Sequence, residues 1–165
     1  MKKVATFGEI LLRLATPNKE RILQAKNFDA DYGGGEYNVA VSLSQFGVPT
    51  KFVTALPDNA VGDSAMFRIK GFGIDSSSIV RQGDRMGLYF LEHGAAMRAS
   101  KVVYDRARSS ISEIKLGDID WEKAFNGIDW FHFTGITPAL SSSAADVTSE
   151  AASAAKDLGL TVSAD

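Results

Sequence analysis

Short apolar runs along the chain alternate with segments in which apolar residues recur at helical spacing. Continuous apolar runs are typical of strands buried on both faces of a parallel sheet, and they occur at residues 4–7, 52–55, 130–133 and 160–163. Between them, the spacing predicts helices over about 36–46, 62–72 and 142–158, each followed by a glycine. This order predicts one α/β domain over residues 1–165, with a mainly parallel central sheet flanked by helices.

Two other segments divide into the two alternating faces of a strand: in the first, Gly87, Tyr89, Leu91 and His93 share one face, and Leu88, Phe90 and Glu92 share the other. Residues 87–93 and 101–108 therefore predict two half-exposed strands of a separate antiparallel sheet. Tyr104 and Arg106 share one face of the second strand. Less regular patterns predict a single strand over residues 3–14, a strand over 51–56 and a short exposed strand at 22–23.

Composition excludes several classes of function. A net charge of −2 and a pI near 5.7 give no electrostatic signature of a nucleic-acid or membrane-surface partner. The sequence has no cysteine and no apolar run of the roughly 18 residues that a membrane span needs. His93 has no second histidine at ligand spacing, so no metal site is predicted. A cytoplasmic protein is expected.

The glycine turn Gly33-Gly34-Gly35 precedes a predicted helix, and a helix N-terminus behind glycines lets a ligand approach the backbone closely. A dinucleotide fingerprint would need a glycine where Asn38 stands, and the Gly-Lys-Ser/Thr of a Walker loop is absent from the sequence. A ligand bound at this turn and a tight turn without any ligand both remain open at this point.

Longer strings extend the pattern around this turn. GGGEYNVAVSLSQFG resembles the N-terminal signature of the PfkB (ribokinase-like) carbohydrate kinases, in which a Gly-Gly pair is followed by an asparagine. GEILLRL, ALPDNAVGD and FHFTGITPAL resemble further parts of that family in the same order. The resemblance implies a ribokinase-like fold with a small β-sheet lid over the sugar, formed here by about residues 15–32 and 87–106.

Two features resemble the 2-keto-3-deoxygluconate kinase branch, namely Glu36 in the signature and the Tyr104-Asp105-Arg106 string. An arginine suits a sugar-acid substrate because its planar fork binds a carboxylate through two hydrogen bonds. Arg13 stands where many members of the family carry an aspartate. Two roles remain open for it: attraction of the anionic sugar acid, or an ordinary surface position. The resemblance implies that substrate contacts come from Gly33, Gly34, Asn38, Tyr89, Tyr104, Arg106 and the backbone at Ile136.

The implied reaction is transfer of the γ-phosphoryl group of ATP to the sugar acid with Mg²⁺. In this family the base is the aspartate of a Gly-Ala-Gly-Asp turn, and that motif is absent from residues 1–165. No catalytic residue is therefore expected in this chain, and most of the ATP site is expected beyond Asp165, so that the chain alone would be inactive.

Three alternatives remain open: a fructokinase, a ribokinase, and a non-catalytic sugar-binding or interaction module. Leu88, Phe90 and Val103 are expected on the outer face of the lid, which predicts a homo-oligomer formed through that surface.

Overall fold

Strands and helices alternate along the chain in this computed structural model, which describes residues 2–165. The strands in that range are β1 (Val4–Phe7), β2 (Leu11–Ala15), β3 (Asp29–Gly33), β4 (Thr50–Val53), β5 (Ala55–Leu56), β6 (Val80–Arg81), β7 (Leu88–Glu92), β8 (Lys101–Asp105), β9 (Trp130–Phe133) and β10 (Thr161–Ala164). The helices are α1 (Gly35–Gln45), α2 (Ala60–Gly71), α3 (Trp121–Ala124) and α4 (Ser142–Asp157). Among the helices described, none is long and apolar enough to cross a bilayer.

The central sheet has the strand order β10-β9-β1-β4, and every neighbouring pair is parallel. Val4 lies opposite Trp130 on one side and opposite Thr50 on the other. The predicted parallel sheet is confirmed, with strand ends displaced by at most two residues. β10 lies at the edge of this sheet and pairs only with β9 within the described chain.

Helices cover both faces of the central sheet. One core packs α1 and α2 against Phe52, and the other packs α3 and α4 against Phe7 and Phe131. Asn59 begins α2, where its side chain accepts hydrogen bonds from the backbone N–H groups of Val61 and Gly62 at 3.0 and 3.1 Å. The three predicted helices are confirmed within two residues at each end, because their apolar spacing matches the faces that are buried.

The lid is a second sheet with the order β3-β2-β7-β8, so it has four strands instead of the predicted two. β2 and β7 are parallel, and the two outer pairs are antiparallel. The alternation at 87–93 and 101–108 indicated only β7 and β8. β2 was hidden in the apolar run at 3–14, and β3 carries Asp29 and Asp31, which are uncommon in strands.

The single strand predicted over residues 3–14 is wrong. The chain breaks at Gly8–Ile10, so that β1 belongs to the central sheet and β2 to the lid. A Cβ atom at Gly8 would lie 2.1 Å from the Glu36 carboxyl carbon, which shows how closely the turn packs on α1. Apolar character continues through the break because Ile10 within it and Leu11 at the start of β2 are both buried.

Two further strand predictions are also wrong. Residues 22–23 lie in a turn, where the N–H groups of Gln24 and Ala25 both donate to the Arg21 carbonyl. The strand predicted over 51–56 divides at Thr54, because the pairing partner changes from β1 to β6. The Thr54 carbonyl accepts a hydrogen bond from the Val80 N–H at 2.9 Å and so begins the small β5–β6 sheet.

Candidate functional site

A cavity of about 350 Å³ lies between the lid, the first turn of α1 and the loop after β9; we call it the lid cavity. It is lined by Glu9, Leu11, Gly34, Gly35, Glu36, Asn38, Tyr89, Leu91, Val102, Tyr104, Arg106 and Ile136. Six of the seven residues proposed from the sequence are therefore brought together, although they are spread over 103 positions from Gly34 to Ile136, both ends counted. The exception is Gly33.

Gly33 lies directly beneath the ring of Tyr89, where a Cβ atom would be 2.9 Å from the phenol oxygen. It therefore makes room for that phenol and does not line the cavity itself. Gly34 packs against the β1–β2 turn, because a Cβ atom there would lie 2.0 Å from the Glu9 carbonyl oxygen. The two glycines let the lid and α1 approach each other closely.

The inner face of the lid carries two phenols. Tyr89 lies opposite Tyr104 in the antiparallel pairing of β7 with β8, and their ring centroids are 5.7 Å apart. Leu91 and Val102 form the next pair on the same face. The alternation read from the sequence placed these side chains together because opposite residues in an antiparallel pair share a face.

Arg106 follows β8 and lies over the Tyr104 ring, with 5.2 Å between the guanidinium carbon and the ring centroid. Its Nη2 atom is 2.5 Å from Oε2 of Glu9, whose side chain is only 2% exposed. The other carboxylate oxygen of Glu9 accepts a hydrogen bond from the Ser109 hydroxyl at 3.3 Å. Arg106 is thus held at the cavity wall by a charged pair and an aromatic face.

Glu9 was missed by sequence reasoning, although one signal was present. Glu9 stands between two apolar runs, at residues 4–7 and 10–12. Burying a carboxylate without a partner is destabilising, so this position indicates a carboxylate that pairs with a positive charge or a hydrogen-bond donor. Burial raises the pKa of Glu9 above its usual value, while the Arg106 charge and hydrogen bond lower it. The negative charge at Glu36 raises it further.

Glu36 has a role in building the cavity. Its Oε1 atom accepts hydrogen bonds from the Thr134 N–H at 3.0 Å, the Thr134 hydroxyl at 2.8 Å and the Thr137 hydroxyl at 2.9 Å. The Thr134 hydroxyl also accepts the Ile136 N–H at 3.2 Å. Glu36 therefore ties α1 to the turn that presents Ile136.

Arg13 does not line the lid cavity. Its guanidinium donates to Asp31 on the neighbouring strand at 3.0 Å, and about a third of the side chain is exposed. Of the two roles left open by the sequence, the structure supports the surface role.

A larger depression, of about 580 Å³, lies away from the lid and includes Gln82, Lys115 and Asp118 in its lining. Its polar groups bind one another, since the Gln82 side chain and the Lys115 N–H both donate to Asp118 at 2.9 Å. Among residues 2–165, no group of three or more histidine or carboxylate side chains is placed to hold a metal ion. The lid cavity is therefore the better candidate site.

The sequence profile of the pfkB family carbohydrate kinases matches residues 1–164. The chain belongs to this family. It is 32% identical over 165 residues to a 2-dehydro-3-deoxygalactonokinase of Haloferax volcanii. This alignment covers 99% of the chain and 51% of that relative.

Two solved structures extend the comparison. A 2-dehydro-3-deoxygluconokinase of Thermotoga maritima is 51% identical with a TM-score of 0.97, over 100% of the chain and 51% of that structure. A fructokinase of Xylella fastidiosa with bound ATP is 23% identical with a TM-score of 0.85, over 99% of the chain and 51% of that structure. The fold is ribokinase-like, as expected, and the chain spans about half the length of the relatives it matches.

Proposed function

We propose that this chain is the sugar-binding half of an ATP-dependent kinase that phosphorylates 2-keto-3-deoxygluconate or its galactonate epimer. The observation that carries the proposal is Arg106, which lines the lid cavity beside Tyr104. A planar guanidinium beside phenols is suited to a substrate that carries one carboxylate and several hydroxyls. The relatives named for 2-dehydro-3-deoxy sugar acids support the same substrate class.

In this proposal the residues of the chain bind and orient the sugar acid. Arg106 pairs with its carboxylate, Tyr89 and Tyr104 offer hydroxyl groups from the lid, and the backbone at Gly34 and Ile136 closes the opposite wall. Positioning of this kind is a large part of phosphoryl-transfer catalysis, because the reacting groups have to be held in line. ATP supplies the phosphoryl group, and its site and the catalytic base are assigned to residues outside 1–165.

Mg²⁺ is expected with ATP, but the residues described here do not fit a magnesium site. Residues 2–165 contain no group of three or more carboxylate or histidine side chains placed to hold a metal ion. We therefore derive no step through Mg²⁺ and assign its binding to the same outside region as the nucleotide.

The substrate proposal is tested by assaying the full-length kinase that contains this chain. We expect kcat/KM for 2-keto-3-deoxygluconate or 2-keto-3-deoxygalactonate to exceed that for fructose and ribose by at least about 100-fold, because only the acids offer a carboxylate to Arg106 and a close charge pair contributes several kcal/mol. Coupled release of ADP from ATP measures all four sugars under identical conditions. A preference for fructose or ribose would contradict the proposal.

An uncharged ketose is the second candidate, because one observation favours it. Arg106 is already paired with Glu9, so the lid cavity presents no uncompensated positive charge in the structure. A fructokinase activity would need no free guanidinium, and the assay above separates the two candidates directly.

We also predict that the full-length protein is an oligomer assembled through the outer face of the lid. Val103 on that face is 41% exposed, and Leu88 and Phe90 are half-buried, with Phe90 packed against Phe28 at 5.6 Å between ring centroids. A lone exposed sheet face of this kind is better covered by a second copy. Sedimentation velocity should show an oligomer at micromolar concentration.

Val103→Asp is expected to convert that oligomer to a monomer, because a charge would be buried at the interface. Phe67→Asp is the matched control, since Phe67 is an exposed apolar residue on α2, outside the lid. A wild-type monomer at micromolar concentration would contradict the prediction.

A further inference from the structure

The ion pair between Glu9 and Arg106 conflicts with a simple account of sugar-acid binding. A guanidinium that receives a substrate carboxylate should be available, yet Arg106 Nη2 lies 2.5 Å from Glu9 Oε2. The lid cavity is lined by two carboxyl groups, Glu9 and Glu36, and by one guanidinium. A substrate carboxylate would bring a third acidic group into a cavity whose arginine, Arg106, is already paired with Glu9.

The pair is built into the fold, because three elements meet around it. Glu9 lies in the turn that leads from the central sheet into the lid, and Arg106 follows the last lid strand, β8. Gly87 leaves the space between them, since a Cβ atom there would lie 2.7 Å from Glu9 Oε1 and 3.2 Å from the Arg106 Cβ. A Cβ atom at position 87 would also lie 2.7 Å from Leu11 Cδ2, so a larger residue there would require at least one of these side chains to shift.

We propose that Glu9 competes with the substrate carboxylate for Arg106 and takes up a proton from solvent when the sugar acid binds. The inference rests on the proposed function, and it adds that acid binding is linked to proton uptake at one named side chain. No covalent bond changes in this step; a proton passes from water to a Glu9 carboxylate oxygen as Arg106 turns to the substrate.

The surroundings of Glu9 favour uptake of a proton. The groups that face it are Arg106 from the end of β8, the Ser109 hydroxyl and Glu36 from α1, with the phenols of Tyr89 and Tyr104 in the same cavity. Burial already raises the pKa of Glu9 above the ordinary 4.5, although Arg106 and Ser109 lower it. A substrate carboxylate would add a like charge beside Glu9 in the same cavity, and a like charge at close range favours the protonated form of a carboxyl group.

The sign of the pH dependence follows from this arrangement. When a substrate carboxylate takes a share of Arg106, Glu9 loses its opposite charge and gains a like charge, and both changes raise its pKa further. At pH values between the pKa of Glu9 in the free protein and its pKa in the complex, binding of the acid is accompanied by uptake of a proton. Affinity for the acid therefore falls as pH rises through this window, by at most about tenfold per pH unit. An uncharged ketose should show no such dependence.

Calorimetric titration of the full-length protein with 2-keto-3-deoxygluconate, in two buffers of different ionisation enthalpy, counts the protons taken up. Wild type is expected to take up as much as about one proton per acid bound within the window, and Glu9→Gln none. Glu9→Gln should also bind the acid more tightly, by roughly tenfold or more at the upper end of the window, because it removes the competing charge. Gln keeps an oxygen to accept the Ser109 hydroxyl.

Glu92→Gln is the matched control. Glu92 is another buried lid carboxylate, paired with Arg98 at 3.6 Å, and it does not line the lid cavity. This variant is expected to keep the proton uptake of wild type, whereas an equal loss in both variants would overturn the assignment to Glu9.

The remaining outcomes separate the inference from the proposed function. Weaker acid binding by a folded Glu9→Gln, checked by thermal unfolding, would overturn competition and leave Glu9 only as a support for Arg106. Acid binding by wild type without proton uptake would overturn this inference alone. Binding of fructose but not of the acid would overturn the proposed function as well. If Glu9→Gln does not fold, the wild-type pH dependence for the acid beside that for fructose decides the question.

Discussion

Arg106→Ala is expected to lower kcat/KM for 2-keto-3-deoxygluconate by roughly 30- to 5,000-fold in the full-length kinase, about 2–5 kcal/mol of transition-state binding. The variant removes the only guanidinium among the residues that line the lid cavity within positions 2–165. It also leaves the buried Glu9 carboxyl group without its partner, so that Glu9 has to take up a proton or remain as an unpaired buried charge. Steady-state kinetics with the acid and with fructose measure the effect.

Arg13→Ala is the control for loss of a lid arginine as such. Arg13 pairs with Asp31 at 3.0 Å and does not line the lid cavity, so we expect a change of less than about threefold, as for an exposed ion pair. Equal losses for the acid and for fructose in Arg106→Ala would show that Arg106 has no role specific to a carboxylate.

A polypeptide of residues 1–165 alone is expected to show no measurable phosphorylation of 2-keto-3-deoxygluconate by ATP. The Gly-Ala-Gly-Asp turn that supplies base and anion hole in this family is absent from these residues. Without a phosphate cradle and a carboxylate beside the reacting hydroxyl, neither charge nor proton is stabilised in the transition state. A radiolabelled-phosphate assay over several hours is the measurement.

The same polypeptide is expected to unfold without a sharp transition, or to associate. β10 pairs with β9 alone among the described strands, so one side of it presents unpaired N–H and C=O groups. An apolar groove of about 430 Å³ runs beside it, lined in part by Val39, Leu43 and Trp130. Measurable turnover would contradict the first expectation, and cooperative thermal unfolding as a monomer would contradict the second.

Much of the architecture was determined by local pattern. The four parallel strands and the three long helices follow from apolar periodicity, because each of those faces is buried and tolerates few polar side chains. The inner face of the lid followed from the alternation at Tyr89 and Tyr104, which antiparallel pairing converts into a shared surface. The residues proposed for the site came from a family resemblance, and the structure brings six of the seven to one cavity.

Tertiary structure alone decided which partner each segment meets. The apolar run at residues 3–14 is continuous in sequence, yet its two halves join different sheets because β2 finds its hydrogen bonds in β3 and β7. Glu9 and Arg106 are separated by 97 positions, 106 minus 9, and no periodicity links them. Both pack closely against Gly87, which has no side chain to occupy that space. A pattern along the chain reports which side chains are buried, whereas the charge that a buried carboxylate meets is set by contacts that form only when distant segments pack together.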